Sequence, residues 1–324
     1  MSKEAKEPRI QVHGDALAES PLSATFKGTF DGDPVIIKMV RAIGEDLREH
    51  WSWFTKTVVP AASGTPNIVQ YLASKGPADE DSPFVLITEL CDESIESKMP
   101  LALCPESISL VEDVVFALET MKNAGVYHGN LTYENILIKD GEVKVSDFGI
   151  SKLQQRQVTQ LSIFCAPEVL ASQKFSFAAD VYSLGILMIE AFTNNQAYKG
   201  SYGEQVKAIL QGTKPFIDPS APKGIYDLIQ RCISFDPDNR PSLQEVREML
   251  ALMRRLLYPT KHFDTKFESK ILNESEVVVE TSKAVSLMAA SQPTSANNQR
   301  TKALRICVFI LFYSFVMFII LRIL

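Results

Sequence analysis

No two cysteines in this 324-residue chain stand at the spacing of a metal cage or a disulfide framework. The five, Cys91, Cys104, Cys165, Cys232 and Cys307, are scattered, which indicates free thiols in a reducing compartment. Positive charge is not in excess. Thirty-three Lys and Arg against 39 Asp and Glu leave a net charge of −6, which excludes a global pull toward nucleic acid. The first ten residues, MSKEAKEPRI, hold no apolar core and read as a loose polar leader, not a secretory signal. No internal repeat is visible along the chain.

What is present fits a globular protein: 46% hydrophobic and 22% charged residues, in a chain long enough for two lobes and a tail. One long apolar run stands out. Residues 306–321, ICVFILFYSFVMFIIL, carry no charge and are bracketed by Arg305 and Arg322. As a helix they span roughly 24 Å at about 1.5 Å per residue, against a hydrocarbon core of about 30 Å. Ala303, Leu304, Ile323 and Leu324, with both arginines snorkelling, nearly close the gap. A buried globular helix is the competing reading, but an all-round apolar helix after a polar linker has nothing obvious to pack against. The expectation is a single-pass C-terminal anchor at 303–324. Arg300, Lys302 and Arg305 on its near side put the body in the cytosol.

Between leader and anchor the chain changes character. From about 11 to 90, short β-like runs such as VIIKMV (35–40) and FVLITEL (84–90) surround one helix-like stretch near 42–59. From about 105 to 257, within a second part of about 91–258, helical patterns dominate. Residues 106–126 have helical apolar spacing with Gly125 near the end, 180–192 are apolar almost all round, and 243–257 are amphipathic. Residues 259–302 read as a linker with a short helical stretch near 281–290.

Seven motifs then occur in one order: VIIK (35–38), TPNIV (65–69), HGNLTYEN (128–135), DFG (147–149), APE (166–168), DVYSLG (180–185) and FDPDNRP (235–241). Together they resemble the eukaryotic protein kinase family over about 11–257. The resemblance implies an α+β, bilobal kinase-like fold with a small β-rich N-lobe and a larger helical C-lobe. It also implies ATP and Mg²⁺ as cofactors. Lys38 would hold the phosphates, and Asp147 and Asn135 the metal. Ile36, the hinge residues Glu89 and Cys91 after Thr88, and a loop containing Ala18, Ser20 and Ser23 would surround the nucleotide. His128, Phe148, Glu168, Asp180 and Arg240 would form the structural frame, with Glu168 and Arg240 paired.

The departures fall on the chemistry. Asn130 stands where the family has the Asp that accepts the hydroxyl proton. An amide keeps the shape but has no basicity, and loss of a general base costs about 10²–10⁴ in rate. Gly129 replaces the Arg that grips a phosphorylated activation segment, and Thr132 replaces a Lys that steadies the phosphoryl group. In LAESPLSATFKG (17–28), Ala18, Ser20 and Ser23 take the places of three glycines that allow close approach to phosphate, and Pro21 removes a donor. Ile36 replaces a small Ala above the base, where it is expected to fill an emptied pocket. The acidic partner of Lys38 is unresolved: the expected position holds Lys56, while Glu49 or Glu45 would serve on a shifted helix. Trp51, Trp53 and Phe54 on that helix read as core, with a docking surface as the alternative. Sixteen residues separate DFG from APE. Thr159 and Ser162 there read as ordinary loop residues, since no catalytic-loop arginine would receive a phosphate.

The expectation is a membrane-anchored pseudokinase, a scaffold or allosteric regulator with weak or no ATP binding. The alternative is a low-activity ATP-dependent Ser/Thr kinase. Partners would be cytosolic or membrane signalling proteins, with no nucleic acid. The membrane would be the endoplasmic reticulum or the mitochondrial outer membrane.

Overall fold

The computed structural model describes residues 9–20, 23–41, 47–77, 82–151, 162–193 and 195–259. The 281–290 helix, the 303–324 anchor, Thr159 and Glu45 lie outside them. Among the described residues, no helix is long and apolar enough to cross a membrane.

The N-terminal lobe is a five-stranded antiparallel sheet. Strands β1 (Ile10–Ser20), β2 (Ser23–Phe30), β3 (Asp33–Val40), β4 (Tyr71–Lys75) and β5 (Phe84–Glu89) lie in the order β1-β2-β3-β5-β4. The period of two decides what each face of β3 does. Val35 and Ile37 are buried and cluster with Ile87, while Ile36 and Lys38 are only partly buried. Between β3 and β4 runs a helical segment in three pieces: α1 (Leu47–Trp53), a π-helical turn (Phe54–Val58) and α2 (Val59–Ala62). The aromatics on it are core, as expected. Phe54 is fully buried, Trp51 stacks on Phe84 at 5.0 Å, and Phe54 meets Tyr71 edge-on at 5.3 Å.

The C-terminal lobe is helical apart from a small sheet of β6 (Glu93–Ser94), β7 (Ile136–Lys139) and β8 (Glu142–Val145). Its helices are α3 (Pro105–Asn123), α4 (Pro167–Ser172), α5 (Phe177–Thr193), α6 (Tyr202–Leu210), α7 (Lys223–Cys232) and α8 (Leu243–Leu257). Helix α3 begins with Pro105 in its first turn, where the missing N–H has no partner to lose. It stops before Gly125, whose φ of +73° glycine adopts without steric cost. Helix α5 is buried along nearly its whole length, which matches its all-round apolar sequence. Ser242 and Glu245 form a capping box at the start of α8.

Glu168 on α4 and Arg240 form a bidentate pair at 2.7 and 2.8 Å. The Arg240 side chain is fully buried. Its remaining donors reach the carbonyls of Ala178, Ser234 and Phe235, and its guanidinium lies over the Tyr182 ring. Every N–H of this charge is used, so removing it leaves Glu168 and three carbonyls short of a donor. We expect Arg240→Met to lose about 3–5 kcal/mol in urea denaturation. Arg240→Lys should recover only part of that, because a single ammonium cannot repeat the planar fork. A loss under about 1 kcal/mol for the Met variant would show that the pair does not staple α4 to the lobe.

Candidate functional site

The chemistry-bearing residues meet in a cleft between the lobes, about 420 Å³ in volume. Its upper wall comes from β1, β2 and β3 (Leu17, Ala18, Thr25, Ile36) and its lower wall includes Leu137. Its back is the chain from Thr88 to Cys91. Lys38 and Asp147 stand in it, and they form an ion pair with each other. Their side chains are 19% and 13% exposed, enough burial for an unpaired charge to be costly.

This pair resolves the missing partner of Lys38. Among the described residues Lys38 bridges to Asp147 and not to the N-lobe helix, where Glu49 is exposed. In place of an acid, that helix presents hydrophobic bulk. Trp53 and Val58 crowd Gly149, where an added Cβ would lie 2.8 Å from Val58 and 3.2 Å from Trp53. The Tyr71 hydroxyl donates to the Phe148 carbonyl at 3.3 Å. Burial, and after it the Asp147 carboxylate, push the Tyr71 pKa well up, so the phenol stays a donor. Neither Tyr71 nor the Trp53–Gly149 contact was legible in the sequence motifs. Asp147 itself has φ +64°, a left-handed conformation that this packing holds.

Below the cleft, residues 127–135 are built as a rigid loop. Asp180 of α5 accepts the backbone N–H groups of His128 and Gly129, both at 2.8 Å. The Asn130 N–H donates to His128 Nδ1, and the Asn135 amide donates to the Asn130 carbonyl at 2.8 Å. Ser146 N–H donates to the Asn135 carbonyl, tying the loop to the segment that carries Asp147. The His128 and Phe148 rings lie 4.8 Å apart. Gly129 acquires a packing reason: its φ is +72°, and a Cβ there would sit 2.5 Å from Ser151 Oγ, which donates to the His128 carbonyl. Ser162 accepts from the Phe164 N–H, a plain turn contact.

A family model for protein tyrosine and serine/threonine kinases matches residues 17–250. The chain belongs to the protein kinase family. Similar proteins include a probable serine/threonine-protein kinase of Dictyostelium discoideum, 26% identical over 247 residues. That match covers 71% of this chain and 18% of the relative. The tyrosine-protein kinase transforming protein Fps of avian sarcoma virus (strain PRCII) is 27% identical over 261 residues, 75% of this chain and 48% of that one. The dual specificity protein kinase shkD of Dictyostelium discoideum is 26% identical over 249 residues, covering 72% and 33%. The chain spans less than two thirds of the length of each of these relatives.

Protein kinases use ATP with Mg²⁺. In this chain Thr88 to Cys91 border the cleft where the base of such a ligand would lie, and Lys38, Asn135 and Asp147, which would hold its phosphates and metal, border the same cleft. Three other sequence expectations change. Ser20 and Ser23 do not line the cleft. They close the β1–β2 hairpin, the Ser23 N–H donating to Ser20 Oγ at 3.0 Å with the two hydroxyls 3.1 Å apart. Of the three positions assigned to that loop, Ala18 alone reaches the cleft. Ile36 lines the cleft without filling it. Glu89 also borders it, but its carboxylate is engaged by Lys139 at 2.6 Å and by the Gln70 N–H at 3.0 Å, so it is a structural acid of the hinge. Burial, with Glu89 adding to it, pushes the Cys91 thiol up to about 11, so it stays protonated and weakly nucleophilic.

Asp180 supplies a pH test of the loop. Burial pushes its carboxyl up to about 7, opposed by the two N–H bonds it accepts. Between about pH 4 and 7 the unfolded chain therefore releases this proton before the folded one does, and stability falls with rising pH. Asp180→Asn has no such proton to lose. We expect the wild-type advantage over this variant to be largest near pH 4–5. It should shrink by up to about 1.4 kcal/mol per pH unit toward pH 7, read by urea unfolding. A constant difference across that range would show that Asp180 is ionised throughout.

Proposed function

We propose that this chain is a pseudokinase, a kinase-fold scaffold or allosteric partner that does not transfer phosphate. One observation carries the reading. The loop that positions the family's base is intact around residue 130, held by Asp180, His128 and Asn135, and the residue it positions is an amide. An amide accepts no proton at neutral pH, so a well-made loop delivers a group without the required basicity. The Lys38–Asp147 pair and the serine-closed hairpin support the same conclusion, since both occupy groups that a triphosphate and its metal would need.

A second reading, a low-activity ATP-dependent Ser/Thr kinase, is favoured by the retention of Lys38, Asn135 and Asp147 around one cleft. The two readings separate in a transfer assay. The purified full chain, with Mg²⁺ and γ-labelled ATP, should label neither itself nor generic protein and peptide substrates above an Asp147→Ala control. Labelling that this control abolishes would establish the second reading and defeat the first.

The apolar run 306–321 supports attachment to a membrane, with the kinase-fold domain in the cytosol and signalling proteins as its partners. The endoplasmic reticulum and the mitochondrial outer membrane both suit a short anchor with flanking arginines. Deletion of 303–324 should move the expressed protein from the membrane pellet to the soluble fraction. Pelleting that persists after deletion would overturn the anchor.

A further inference from the structure

We propose that a second cavity, inside the C-terminal lobe, binds an aromatic monocarboxylate, a flat ring system carrying one acidic group. None of its lining residues borders the interlobe cleft, so the inference holds whether or not the chain transfers phosphate.

The cavity has a volume of about 520 Å³, within the range of small-molecule sites. Pro167 of α4, Tyr182 of α5, Ile209 of α6 and Gln230 of α7 border it, so four helices contribute to one hollow. Its walls are fixed by bonds of the fold. The Thr213 N–H donates to the Ala208 carbonyl at 2.9 Å and the Phe216 N–H to the Ala197 carbonyl at 3.1 Å, which holds the chain after α6. The carbonyls of Ser234 and Phe235 accept from Arg240, whose guanidinium also lies over the Tyr182 ring. Walls already held in this way leave little ordering for a ligand to impose.

The lining favours a ring. Tyr182, Tyr198, Phe216, Tyr226 and Phe235 all border the cavity. Tyr182 and Tyr198 are buried, while Phe216 and Phe235 are 48% and 56% exposed. Two aromatic side chains beside an open hollow leave apolar surface in water that a flat ring would cover.

Charge selects the acid and orients it. Lys214 is the single charged side chain among the described residues of the lining; it is exposed and makes no ion pair among them. No carboxylate borders the cavity, so the lining does not repel an anion. The inner phenols cannot receive the acid group. Tyr198 donates to the Thr213 carbonyl at 3.2 Å, so the proton between the two hydroxyls, 3.0 Å apart, belongs to Tyr182. Both phenol protons are spent, and burial pushes both phenols up, so neither ionises near neutral pH. An acid group is therefore served at Lys214, with the ring directed inward.

The test is calorimetric titration of the purified full chain with 2-naphthoate, 2-naphthalenemethanol, decanoate and 2-naphthylmethylamine. We expect 2-naphthoate to bind at least about fivefold more tightly than the neutral alcohol at low salt, a margin that shrinks in about 0.5 M salt. Decanoate, which has the charge but no ring, should bind more weakly than 2-naphthoate. Lys214→Glu, an exposed change, should weaken 2-naphthoate at least about fivefold, leave the alcohol unchanged and make the amine the preferred ligand. Thr213→Trp, which fills the cavity, should abolish binding of 2-naphthoate, with its thermal midpoint confirming that it folds. In the wild-type chain, 2-naphthoate should slow amide hydrogen exchange in 209–217 and 226–235. Absence of 2-naphthoate binding up to about 1 mM overturns the inference, and so does tighter binding of decanoate. Affinity for 2-naphthoate that is equal in the wild type and Lys214→Glu, or that survives in a folded Thr213→Trp protein, overturns it too. Exchange slowed in 86–92 and not in 209–217 would place the ligand in the interlobe cleft and overturn it as well.

Discussion

The ion pair between Lys38 and Asp147 is the constraint on which the rest of the cleft depends. Lys38 is fixed by the register of a central strand of the upper sheet, opposite Thr25 and Leu86. Asp147 is fixed by the segment after β8, through the Ser146 bond to Asn135 and the packing of Phe148 on His128. Neither residue can move far without breaking its own local structure. Because both charges are mostly buried, each needs the other, and the pair sets the approach of the two lobes. Among the described residues these two charges satisfy one another.

The surrounding packing reinforces that pairing. Among the described residues the N-lobe helix makes no ion pair with Lys38. It offers instead Trp53 and Val58 against Gly149, and Phe54 against Tyr71, whose hydroxyl holds the Phe148 carbonyl. The π-helical turn at Phe54–Val58 lies in the middle of this segment. A π turn changes which residues face a neighbour, and it occurs here where Phe54 and Val58 must both be buried. Aromatic bulk and one phenolic hydrogen bond orient residues 147–149.

The sequence disclosed the parts whose demands are local. Short β-like runs at 35–40 and 84–90 marked two sheet strands, and the almost all-round apolar run 180–192 marked a buried helix, because these patterns lie within a single segment. Glu168, Asp180 and Arg240 were legible from motif order, and each makes the contact expected of it. What stayed hidden depends on pairs of distant segments. The partner of Lys38 lies 109 positions away, and no periodicity encodes it. Gly129 looked like the loss of a phosphate-gripping arginine, yet it is also required by Ser151, which leaves no room for a Cβ. Ser20 and Ser23 looked like degraded phosphate contacts, yet they bond to each other, which a one-dimensional alignment cannot show.

These hidden features bear on why such a fold persists with an amide at position 130. The Glu168–Arg240 pair and the Asp180 loop anchor stabilise the C-lobe and make no demand on catalysis. The cleft residues are different: Lys38 and Asp147 are kept, but as a pair. A lone buried lysine or a lone buried aspartate would each be unfavourable, so loss of either would penalise the other. Each of the two charged residues is therefore a structural requirement of its neighbour, whatever reaction the cleft supports. On this account, their presence in the cleft says little about phosphate transfer.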